Sequence, residues 1–176
     1  ANGEESMIKG QDMVVLAALM SDEAHDASYA QLAKRAKLSV SETYGAVQRL
    51  QNASLVDGDN RIRVRNAIEF LTHGLRYVFP MKMTQERSYG VPASYAAPLA
   101  ADDFAYTGDV PVWKSSSGGV FGRVVEPLYP SAPEAAANDR SIHDRLAAMD
   151  MLRGGRIRER IFAERKIKEF LQYEQH

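Results

Sequence analysis

Two copies of one short pattern stand close together in this chain: Ser28-Tyr29-Ala30-Gln31 and Ser39-Val40-Ser41-Glu42. In each, a serine hydroxyl can accept an orphan amide of a first helical turn. The Gln or Glu three residues on can then reach back to the serine's own amide. Each pattern therefore starts a helix. The first helix runs to about Ala36 with Leu32, Ala33 and Ala36 inward; the second runs to about Asn52 with Thr43, Ala46, Val47 and Leu50 inward. Only Lys37 and Leu38 are left to turn the chain between them. A further helix over Gly10 to Met20, with Met13, Leu16, Ala17, Leu19 and Met20 on one apolar face, precedes the pair.

Downstream, Leu55-Val56 and Arg61 to Arg65 flank the turn formers Asp57-Gly58-Asp59-Asn60, which predicts a short hairpin. Ile62 and Val64 take one face of its second strand, and Arg61, Arg63 and Arg65 the other. Ala67 to about Val78 reads as a fourth helix that stops before Pro80. Composition then changes. Met81 to Pro133 is rich in proline and glycine with weak periodicity, so loops and short helical turns are expected, with one hairpin. That hairpin pairs Val110-Pro111-Val112-Trp113 with Val120 to Val125 through Ser115-Ser116-Ser117-Gly118-Gly119. Helical spacing resumes at Ile142, Leu146, Met149 and Leu152; Gly154-Gly155 breaks it, and a basic helix follows to about Gln172.

The run from Gln31 to Thr43, continued by Ala46-Val47-Gln48-Arg49-Leu50 and Leu55-Val56, resembles the winged helix-turn-helix of MarR-type regulators over the first third of the chain. That family shows a leucine-alanine step, a turn, leucine-serine, a recognition helix and then leucine-valine entering the wing. One departure is Lys37, at a turn position where the family usually has glycine. A left-handed backbone costs a non-glycine residue about 1 kcal/mol, so a wider turn is expected. The resemblance implies a mainly α fold with a small β wing over residues 7–79; residues 80–176 depart from the family's pattern and read, from their own composition and spacing, as an α+β C-terminal extension. It also implies a homodimer acting on double-stranded DNA as a transcriptional regulator. Its third helix would enter the major groove, and the hairpin would touch the flanking groove or phosphates.

The charge distribution fits that implication better than the net charge of −1. Residues 1–27 carry −5 and residues 28–65 carry +4, so positive charge collects where phosphate would have to be neutralised. The same run also reads as a solvated face. Ser39, Val40, Ser41, Tyr44, Gly45, Gln48 and Arg49 are the cap and outward positions of the third helix, and Arg61 and Arg63 belong to the hairpin. Ser41, Tyr44 and Gln48 suit base edges or phosphates, with Gln48 able to pair with adenine. Gly45 costs nearly 1 kcal/mol in mid-helix, which points to a close approach of DNA backbone or another helix.

Catalysis finds no support. His25, His73, His143 and His176 are isolated, Asp102 and Asp103 are neighbours facing apart, and there is no phosphate-binding glycine loop. No cofactor is expected. The chain has no cysteine and no long apolar run, and Ala1 to Ser6 are small and acidic, so a cytoplasmic protein without a membrane partner is expected. Tyr89, Tyr95, Phe104, Tyr106, Trp113, Phe121 and Tyr129 could line an effector pocket or simply pin an irregular segment to the core. Through that extension a protein partner or a small-molecule effector could act. Arg153 to Lys168 is basic but interleaved with Glu159 and Glu164, the pattern of a solvated helix or one packed along a twofold axis. The rival reading is a winged-helix interaction module, such as the antitoxin-like partner of a separately encoded enzyme.

Overall fold

Helix α1 (Gly10–Leu19) is enclosed on every side in the computed structural model, which describes residues 7–21, 24, 26–105 and 108–173. Every residue from Gln11 to Leu19 is buried, so the expected single apolar face is corrected to a helix buried all round, apolar except for Gln11 and Asp12. Helices α2 (Tyr29–Ala36), α3 (Val40–Asn52) and α7 (Arg140–Gly154) all pack against it. Both capping boxes form as the serine patterns predict. The Gln31 amide donates to Ser28 Oγ (3.1 Å) and the Glu42 amide to Ser39 Oγ (3.0 Å); the Ser28 and Ser39 amides donate back to the two side chains. The inward residues of both helices are those that the spacing picks out.

Lys37 adopts the left-handed conformation itself, at φ 57° and ψ 45°. The amides of Lys37 and Leu38 both donate to the Ala33 carbonyl, so the turn stays tight where a wider one is expected. The hairpin that follows is shorter than expected. Its single ladder contact is Val56 with Ile62; the Arg63 amide donates to the Leu55 carbonyl, and α4 (Val64–Glu69) begins at once. Val64 and Arg65 thus belong to a helix and not to a strand. That helix continues through a π-turn (Phe70–Gly74) into α5 (Leu75–Val78), and the chain leaves it before Pro80.

The middle of the chain holds a three-stranded closed barrel of β1 (Met83–Pro92), β2 (Pro111–Lys114) and β3 (Val120–Val125). The expected antiparallel hairpin of the last two is corrected. β1 pairs antiparallel with both, so β2 and β3 run parallel where they meet. The loop between them crosses β1, bringing Gly118 against the Gly90 backbone. After α6 (Ala132–Asn138), α7 and α8 (Ile157–Phe170) complete the chain, separated at Gly154-Gly155 as expected.

A single buried cluster runs from α1 to α3 through α7 and α8 and takes in Val91, Trp113 and Val125 of the barrel. The stretch expected as an extension therefore shares the core of the first half. Buried polar groups fasten the joints. Trp113 Nε1 donates to Asp150 Oδ2 (2.8 Å), while Arg153 pairs with Asp150 Oδ1 (2.8 Å) and donates to the Phe79 and Glu126 carbonyls. The architecture is α+β, helices around a small sheet, and no helix of the described residues is long and apolar enough to cross a membrane.

Candidate nucleic-acid interface

Helix α3 presents a mixed outward face. Ser39, Val40, Ser41 and Tyr44 are exposed, with Val40 at 52% and Tyr44 at 51%, while Gly45 and Gln48 are half-buried. Tyr44 is oriented by a neighbour. Its ring meets Tyr29 of α2 edge to face, with centroids 5.3 Å apart.

That contact continues into the hairpin loop. The Tyr29 hydroxyl accepts from Asn60 Nδ2 (3.2 Å), and Asn60 Oδ1 accepts from Gln51 Nε2 of α3 (2.8 Å). Asn60, at φ 62°, thereby ties the loop to both helices just before Arg61. Within the loop, Asp57 Oδ1 accepts the amides of Arg61 (3.0 Å) and Asp59 (2.9 Å). These bonds, led by the one from Arg61, hold the Asp57 carboxyl below its ordinary value, with Arg63 and Arg61 adding to the effect. The result is a preset loop that displays Arg61 and Arg63 in the open. Lys34 and Lys37 are exposed as well.

Arg49 is not on the outward face, contrary to expectation. Its guanidinium turns inward to the fully buried Asp12 of α1, with Nε 2.9 Å from Oδ2 and Nη2 2.8 Å from Oδ1. Nη2 also donates to Gln11 Oε1 (3.0 Å), and the hydrogen bonds to Asp12 raise the arginine's pKa further. Gly45 lies against this folded-back side chain. A Cβ at that position would lie 3.3 Å from Arg49 Nη1, so the glycine leaves room for the guanidinium to fold back along α3. Arg35 is likewise committed, to Asp139 (2.9 Å) and Ser21 Oγ (2.7 Å). Two of the seven cations in residues 28–65 therefore serve the fold.

Asp12 and Gln11 are the residues that sequence reasoning missed. Their signal was available: a carboxylate inside the apolar run from Met13 to Met20 and its flank needs a buried cation, and α3 carries only Arg49. Gln11 also donates to Glu42 Oε2 (2.9 Å), whose carboxyl is held low chiefly by the Ser39 amide.

The aromatic residues of the middle segment do not converge. Trp113 is buried beside His143, Tyr95 packs on Phe104 and Phe104 on Phe162 of α8, and Tyr89 and Phe121 stand exposed on the barrel. Tyr129 is half-buried within hydrogen-bond distance of Gln11. Tyr106, His25, His176 and Ala1 to Ser6 lie outside the described residues. Among the described residues no group of three or more histidines and carboxylates is placed to hold a metal ion. Compared with known proteins, the chain matches no family model, no curated protein and no solved structure.

Proposed function

We propose that this chain is a winged helix-turn-helix protein of the MarR-like kind that binds double-stranded DNA as a transcriptional regulator. The observation that carries the reading is the Tyr44–Tyr29–Asn60 link, which joins the outward face of α3 to the loop bearing Arg61 and Arg63. A recognition helix and a wing must be held in one geometry to meet adjacent grooves, and this link supplies that coupling. In this reading Ser41, Tyr44 and Gln48 meet base edges or phosphates in the major groove, and the exposed first turn around Ser39 and Val40 suits a phosphate. Arg61 and Arg63 reach the flanking groove, and Lys34 and Lys37 add backbone contacts. Arg49 supports the helix from behind. A homodimer would match palindromic half-sites.

The test is a titration of the chain against the duplex upstream of its own gene and a scrambled duplex, at two salt concentrations. Tighter, salt-dependent binding to the native duplex supports the reading. Arg61→Ala with Arg63→Ala then weakens binding and lowers the log–log salt slope by about 2. An unchanged slope removes the loop from the interface. Equal or absent binding favours the second reading, a protein-interaction module with a separately encoded partner. What speaks for that alternative is Ile157 and Ile161, 65% and 64% exposed one turn apart on α8.

A further inference from the structure

The outer face of the barrel carries four side chains in register that the duplex-binding reading does not use. Tyr89 of β1 stands opposite Phe121 of β3, and Arg87 stands opposite Arg123. Tyr89 and Phe121 are 60% and 54% exposed, and their rings meet edge to face at 5.2 Å, which leaves aromatic surface open to solvent. The arginine pair lies two residues along, about 7 Å away at the rise of a strand.

Like charges directly opposite in an antiparallel pair repel, so each guanidinium needs an answering group. Asp109 is the one carboxylate shared by the two: it accepts from Arg87 Nε (2.8 Å), in a pair exposed on both sides and so readily exchanged for another anion, and the Arg123 charge acts on it as well. Arg123 is held by neutral acceptors, the Thr84 carbonyl (3.0 Å) and Gln85 Oε1 (2.9 Å). The patch therefore combines open rings with an excess of guanidinium charge. Rings stack on any base, and guanidinium groups neutralise phosphates. Together they form the recognition chemistry of an unpaired strand rather than of a duplex, whose bases already stack on one another.

We propose that this face binds single-stranded nucleic acid, with Tyr89 and Phe121 stacking bases and Arg87 and Arg123 meeting the adjoining phosphates. The site is separate from α3 and its loop, so it stands or falls independently of duplex binding.

The experiment is fluorescence anisotropy of a labelled oligothymidylate of about 10 nucleotides with the full chain at low and moderate salt. Tyr89→Ala and Phe121→Ala each weaken binding about tenfold. Tyr89→Phe keeps the affinity, because stacking needs only the ring. Arg123→Gln lowers the salt slope by about 0.7. Arg165→Gln, an exposed arginine of α8 outside both faces, leaves oligothymidylate binding unchanged, and Trp113 emission in every variant confirms an intact barrel. The proposal is overturned by absent binding, by affinity indifferent to loss of either ring, or by an equal loss in Arg165→Gln. A copurifying protein released by Tyr89→Ala, without oligonucleotide binding, also overturns it and assigns the face to a protein.

Discussion

Asp12 has no solvent exposure, yet it accepts from the Lys9 amide (2.9 Å) and from two nitrogens of Arg49. A buried pair of this kind adds little over an apolar pair, but losing one partner strands the other charge. Asp12→Ala should lower stability by about 3 kcal/mol, read from urea unfolding. Asp12→Ala with Arg49→Met should recover much of that loss, and an additive double variant would show that the two side chains act separately. Lys37 is the opposite case, a local cost. At φ 57° its Cβ crowds the backbone, so Lys37→Gly should stabilise by about 1 kcal/mol, against a small entropic penalty in the unfolded chain. A higher melting temperature for Lys37→Gly checks this.

At the scale of elements, the barrel shows how three short strands can close. β1 must pass within backbone contact of both partners, and it does so through glycine. A Cβ on Gly90 would collide with the Trp113 carbonyl, and one on Gly118 would collide with Gly90 itself. Neither obstacle is a flexible side chain. Gly90→Ala should therefore cost about 3 kcal/mol by overpacking. Trp113 is the single tryptophan, so its emission reports barrel packing directly. A native spectrum with unchanged stability would mean that the strands can part without loss. Helices α2 and α3 need no such contact to begin, because each carries its own cap.

Across the whole molecule, the barrel and the helices are joined by largely buried polar groups. His143 of α7 donates from Nε2 to the Pro92 carbonyl at the end of β1 (2.7 Å) and lies beside Trp113. Burial, partly offset by this bond, holds the imidazole below its ordinary value of 6.5. The unfolded chain therefore takes up the proton first. Stability is fully present above the unfolded value and is lost as pH falls through the folded one. Urea midpoints at about pH 7.5 and about pH 5.5 should differ by more in the native chain than in His143→Gln. An equal difference would place the sensitivity elsewhere.

Local chemistry decided the first half of the chain. The caps at Ser28 and Ser39, the inward residues of α2 and α3, the turn formers from Asp57 to Asn60 and the stop before Pro80 each involve residues within a few positions of one another. Such information is complete in a short window. β1 was not legible because its apolar alternation is broken: Arg87 and Tyr89 face outward, while Gly90 and Val91 turn into the core. The parallel pairing of β2 and β3 was hidden for a related reason, since it follows from where β1 lies and not from their own residues. Arg49 looked outward by helical spacing until Asp12, 37 residues away, turned it inward. Sequence by itself determined which segments coil and where they stop, through contacts between near neighbours. Only the tertiary structure decided which charges remain free for a partner, because burying one charge obliges a distant one to follow it.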